Sequence, residues 1–129
     1  MTENGIEEYL STMYHALRAP RRRQVVSLLT EGDSAAMSAR SLAKKIAAEE
    51  CAVPPECATG EPYRNVYNAL SQTHLPTLAD AEIIIYDPKR QKVSQGVNFD
   101  LAALLLDTNT PTVNVFISLI SETKDTDEN

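Results

Sequence analysis

Apolar side chains recur every three or four positions through the first part of the chain, the spacing of one helix face. In IEEYLSTMYHALR they fall at Ile6, Leu10, Met13, Tyr14 and Leu17, which predicts an amphipathic helix over 6–18. Ala19-Pro20 ends or bends it, because proline pushes the residue before it out of the helical region. Pro20 can open a second helix, RRRQVVSLLTE, with Val25, Val26, Leu28 and Leu29 inward and Gly32 as a left-handed cap. Asp33 to Met37 read as a short loop. Ser38 or Ser41 then caps a third helix, SARSLAKKIAAEE. Its inward face is Leu42, Ala43, Ile46 and Ala47, and its outward face carries Arg40, Lys44 and Lys45. Residues 51–61, CAVPPECATGE, hold two prolines, a glycine and no period, which predicts a loop.

The stretch EPYRNVYNALSQTHLPTLADAEIIIYD, from Glu61 to Asp87, is the one the others serve. Pro62 suits a first helical turn, where its missing N–H costs nothing. Helical spacing turns Val66, Leu70, Thr73, Leu78 and Ala81 inward and sets Arg64, Asn65, Asn68, Ser71 and Gln72 on a polar outward face. Solvated faces more often use Glu and Lys, whereas Arg, Asn, Gln and Ser are the side chains that bond base edges and phosphates. The helix, over about 62–79, therefore reads as a recognition helix for a major groove. Ile83 to Tyr86 favour a strand, Asp87-Pro88-Lys89-Arg90 a turn, and Gln91 to Gln95 a returning strand. Together, about 83–95, they make a hairpin with a basic tip. NFDLAALLLDT then predicts a short helix capped by Asn98, and TVNVFISLISET a last helix over 112–122.

That order is the winged helix-turn-helix: a mainly α fold with a small antiparallel β-hairpin (α+β) and additional N- and C-terminal helices. One domain over 1–129 is expected, with 16–95 as its core and 123–129 as an acidic tail. The flanks, 1–15 and 97–122, have apolar faces that need cover, and a two-fold partner chain would supply it, so a homodimer is expected.

Charge changes the picture only through its distribution. The net charge of −6 argues against nucleic acid, yet residues 16–92 carry a net +2 between a −3 start and a −5 end. Three basic knots, Arg18 to Arg23, Arg40 to Lys45 and Lys89 to Lys92, supply most of that base and fit a phosphate-binding surface. No apolar run reaches the ~18 residues of a membrane span. The acidic start MTENGIEEYL lacks the features of a signal peptide, so a cytoplasmic protein is expected.

ALRAPRRRQVVSLL, SLAKKIAAEE and YRNVYNALSQTHLPTLADAEIIIYD, taken in order, resemble the ArsR-like winged helix-turn-helix domains abundant in haloarchaea. The resemblance covers about residues 16–95 and implies an archaeal DNA-binding transcription regulator. Where that family usually has glycine before the wing strand, this chain has Glu82, at a cost if the cap is left-handed.

The expected DNA contacts are Arg64, Asn65, Asn68, Ser71 and Gln72 on the recognition helix, Arg40, Lys44 and Lys45 on the helix before it, Arg21 and Arg22 at a helix start, and Lys89 and Arg90 at the hairpin tip. Each has a plainer reading as solvated charge. Arg21, Arg22 and Arg23 face an unfavourable dipole at a helix start, which either phosphate or acids such as Glu7 and Glu8 would relieve. Cys51 and Cys57, spaced C-x5-C, lack zinc-ribbon or C-x-x-C spacing, so no metal or other cofactor is expected. With His74 they leave a redox- or metal-responsive regulator as an alternative, though His74 reads better as a packed residue. A winged-helix protein–protein interaction module without DNA binding is the other alternative, favoured by the acidic ends. No nucleophile–base set, phosphate loop or paired acid site emerges, and no enzyme is expected.

Overall fold

The computed structural model describes residues 3–32 and 36–107. Two helices come first, α1 (Glu3–Ala16) and α2 (Pro20–Glu31), then a short strand β1 (Ala36–Ser38) and helix α3 (Ala39–Cys51). A 3-10 turn (Pro55–Cys57) leads to α4 (Glu61–Ala69), which continues through a π-helical turn (Leu70–His74) into α5 (Leu75–Asp80). The strands β2 (Ile84–Asp87) and β3 (Lys92–Gln95) and helix α6 (Phe99–Leu105) follow. The sheet is antiparallel with β3 at its centre, in the order β1-β3-β2. The chain is thus mainly helical with a small antiparallel sheet, in the element order of a winged helix-turn-helix with added helices at both ends. The last helix expected, over 112–122, and the tail 123–129 lie outside the described residues.

Local chemistry explains most boundaries. Pro20 and Pro62 sit in first turns, where no N–H is needed. Between the two candidate caps of α3, Ser38 does the work, its hydroxyl accepting from the Ser41 N–H at 3.0 Å. Gly32, by contrast, is not a left-handed cap. It is extended, with φ −70° and ψ 145°, and its N–H closes α2 on the Leu28 carbonyl. β1 falls where the sequence reads as loop. Its three residues pair with Lys92 to Ser94 far along the chain, with Met37 opposite Val93. That pairing puts buried Val93 between half-buried Met37 and Tyr86 and seats the sheet on the core.

The core gathers Met13 and Leu17 from α1, Val25, Val26 and Leu29 from α2, Leu42 and Ile46 from α3, and Ile83, Ile84 and Val93 from the sheet. On α1 Met13, Tyr14 and Leu17 face the core as expected, but Leu10 is 52% exposed. Tyr9 turns inward instead, because its hydroxyl finds Asn98 Oδ1 at 3.0 Å. Asn98 precedes α6 as expected but makes no side-chain cap, its amide donating to the Ala81 carbonyl at 2.9 Å.

The long helix departs from its 3.6-residue period at one place. Val66 and Leu70 are buried, but the next buried residue is Leu75, and Thr73, expected inward, is exposed. The cause is Pro76. A proline has no N–H to donate and its ring clashes with the carbonyl four residues back, here Gln72. The helix takes it by widening, so that the Leu75 N–H reaches back five residues to the Leu70 carbonyl. The wide turn resets the buried face to Leu75 and Leu78.

At the end of α5, Glu82 adopts φ 60°, the left-handed cap expected of a glycine. Its N–H bonds the Ala79 carbonyl at 2.9 Å and its own carbonyl accepts the Asn98 N–H at 2.8 Å. Glu82→Gly should therefore raise stability by up to about 1 kcal/mol, the relief of left-handed strain less the added chain entropy of glycine. A urea midpoint moved upward at unchanged slope is the expected reading.

A candidate nucleic-acid interface

Helix α4 is launched from Gly60, whose φ of 73° suits a residue without a side chain, and its carbonyl accepts the Arg64 N–H at 3.0 Å. With Val66 and Leu70 pinned in the core, the same period turns Arg64, Asn65, Asn68 and Gln72 to the surface, where all four are exposed. Ser71 is the exception. It is half-buried, and its Oγ is buried with no hydrogen-bond partner among the described residues, because the π turn rotates it off the outer face. Ser71, expected on the outward face, is therefore not part of the exposed polar row. Tyr63 and Tyr67 stack on each other, centroids 6.0 Å apart, and pack on the core.

On α3 the burial of Leu42, Ala43, Ile46 and Ala47 leaves Arg40, Lys44 and Lys45 exposed. At the hairpin tip Lys89 and Arg90 are exposed, held in a tight turn whose Asp87 Oδ1 accepts the N–H of both. The Asp87 carboxylate also sits 3.9 Å from the Arg90 guanidinium, a distance that leaves the cation available. Among the described residues none of Arg40, Lys44, Lys45, Arg64 and Lys89 pairs with an acid.

One residue joins these three basic elements, and it was not singled out in the sequence. Gln91 occupies a left-handed conformation, φ 57°, in the turn of the hairpin just before β3. Its Oε1 accepts from the Tyr67 hydroxyl on α4, its carbonyl accepts the Ala39 N–H at the start of α3, and its amide donates to the Pro88 carbonyl. Helices α4 and α3 and the hairpin are thereby fixed to one another. A glutamine inside an expected strand carries no sequence signal for this.

The arginine knot at the start of α2 behaves differently from expectation. Arg21 makes two bonds to Glu50 of α3, at 2.7 and 2.8 Å, rather than meeting Glu7, Glu8 or a free surface. The shared bonds raise the Arg21 guanidinium further above neutral and hold the Glu50 carboxyl below its ordinary value. Arg22 is buried and donates to the carbonyls of Ala16 and His15, closing the end of α1. Arg23 likewise serves the carbonyls of Leu17 and Arg18, both at 2.8 Å. Arg22 is structural and Arg21 is engaged, so neither lies free beside the cations of α3 and the hairpin. Relief of the α2 dipole comes from backbone carbonyls and one acid of α3, partners that sequence distance hides.

His74 is half-buried, with Nδ1 3.2 Å from an Arg22 Nη1, which agrees with a packed residue. Cys51 and Cys57 are free, exposed thiols at the ends of α3 and the 3-10 turn. No group of three or more His, Cys, Asp or Glu that could hold a metal occurs among the described residues. No helix among them is long and apolar enough to cross a membrane.

No curated protein and no solved structure matches the chain. A family described as a domain of unknown function, DUF7344, matches residues 14–94, from the end of α1 into β3. That span takes in the exposed face of α4, the cations of α3 and the hairpin, and by it the chain belongs to the DUF7344 family.

Proposed function

We propose that this chain is a DNA-binding transcription regulator that grips duplex DNA without chemistry. The observation that carries the reading is the exposed row Arg64, Asn65, Asn68 and Gln72 on α4, flanked by exposed cations of α3 and the hairpin tip. In this reading α4 enters the major groove, where asparagine and glutamine suit adenine edges and arginine suits guanine or phosphate. Arg40, Lys44 and Lys45 meet the backbone, and Lys89 and Arg90 track a neighbouring phosphate. The resemblance of residues 16–95 to ArsR-like domains supports the same role, in a cytoplasmic protein. The partner copy of a homodimer would cover α1 and α6, where Leu10 and Leu104 are 52% and 55% exposed. Two recognition helices would then stand about one DNA turn apart, roughly 34 Å.

Fluorescence anisotropy with random and genomic duplexes across a salt series tests this directly. Wild type should bind at low salt and lose affinity steeply as salt rises. Arg64→Glu should weaken binding about tenfold or more, through a lost contact and an added like-charge repulsion with phosphate. The net charge of −6 favours the rival, a winged-helix interaction module. Absence of any duplex binding by wild type at low ionic strength would decide for that rival.

A further inference from the structure

Among the described residues Arg22 is the buried charged side chain, only 8% exposed. Its Nε donates to the Ala16 carbonyl at 2.7 Å and one terminal nitrogen to the His15 carbonyl at 3.3 Å, the negative end of α1. The other terminal nitrogen lies 3.2 Å from His74 Nδ1. A guanidinium can only donate, so Nδ1 must accept, and the imidazole carries its single proton on Nε2. One neutral ring therefore locks the recognition helix to the junction of α1 and α2.

The contact falls on the last residue of the π turn. Such turns are rare, and this one, opened by Pro76, is tied to the rest of the fold at His74. The same turn buries the Ser71 hydroxyl without a partner among the described residues, a cost that the surrounding contacts must cover. Of the proposed groove-facing amides, Asn68 lies just before this turn and Gln72 within it.

We propose that His74 is an acid-operated latch: a proton on Nδ1 ejects the ring from Arg22, frees the π turn, and loosens the grip of α4 on DNA. The proposal rests on the DNA-binding reading for its last step only. The charges that face the ring from α2 are Arg22 and Arg21, both cationic. Arg18 lies close enough to Arg22 to act on it. The acid of α3 at this junction, Glu50, is taken up by its two bonds to Arg21. From α1 the ring's partner Arg22 meets only backbone carbonyls.

Burial first, then the Arg22 and Arg21 charges, holds the imidazole below its ordinary value of 6.5. The unfolded chain therefore takes up the proton first. The stability His74 contributes is complete above pH 6.5 and is lost as pH falls through the depressed native value. Simple electrostatics predicts the opposite trend for binding, since acid makes an acidic protein less negative and so a better partner for DNA.

The test compares wild type with His74→Gln, which keeps an acceptor for Arg22 and has no titrating proton. At fixed ionic strength wild type should bind duplex several-fold weaker at about pH 5 than at about pH 7.5, while H74Q changes less than about twofold. His15→Gln, at the exposed second histidine, should behave as wild type. In the free protein, amide exchange over residues 68–75, corrected for its intrinsic pH dependence, should speed up in acid for wild type and not for H74Q. His74→Asn gives a second neutral variant should H74Q fold poorly. Equal acid sensitivity of wild type and the neutral variants in exchange and in binding would overturn the latch. If no duplex binds at any pH, the DNA reading falls and exchange alone decides the latch.

Discussion

Leu70→Ala should lower the unfolding free energy by about 2–5 kcal/mol, a large part of the ~5–15 kcal/mol a domain of this size possesses. Leu70 is fully buried and opens the π turn, and that turn packs on both α2 and α3. Truncation leaves a cavity between elements that are tied elsewhere, by the Arg21–Glu50 pair and the Arg22–His74 contact, and so cannot close over it. Urea unfolding should show a lower midpoint with an unchanged slope. Leu70→Met, which keeps the volume, should cost less than about 1.5 kcal/mol. A loss as small in the alanine variant as in the methionine variant would mean that the long helix is not anchored at this point.

Gly96→Ala should be nearly as damaging, about 1–3 kcal/mol, although it adds a single methyl group. A Cβ there would lie 2.5 Å from the Glu82 carbonyl oxygen and 3.0 Å from the carbonyl carbons of Glu82 and Ile83. These are backbone atoms, so no side-chain rotation relieves the clash. They are also committed, since the Glu82 carbonyl accepts from Asn98 and the Ile83 carbonyl from the Gly96 N–H. Separating them detaches α6 from the end of α5. A melting temperature for G96A within error of wild type would contradict this packing.

The parts of this fold that the sequence announces are those set by local chemistry. Val25, Val26 and Leu29, or Leu42, Ile46 and Ala47, follow one helix face because no outside contact competes with their period. The Ser38 cap and the strand at Ile84 to Tyr86 are legible for the same reason. What escapes is set at a distance. β1 exists because Val93 needs a neighbour on its open side, and three residues, AMS, carry no alternation to announce it. Thr73 is misplaced by a regular period because only Pro76, three residues on, makes the helix widen. In the candidate site, Arg64, Asn65, Asn68 and Gln72 stand where the helical wheel puts them. Arg22 does not, because a run of three arginines gives no sign of which one reaches the carbonyls ending α1. The glutamine that joins the site, Gln91, resembles any other polar strand residue until its partners are in place.

Gln91 also has a bearing on selectivity. A reader assembled from independent arms can mould itself to many surfaces, whereas arms riveted at a single point behave as a caliper with one opening. For a double helix held in the proposed way, groove width and phosphate spacing become quantities the protein measures and refuses to adjust, so a stretch of the wrong dimensions is rejected before any base is consulted.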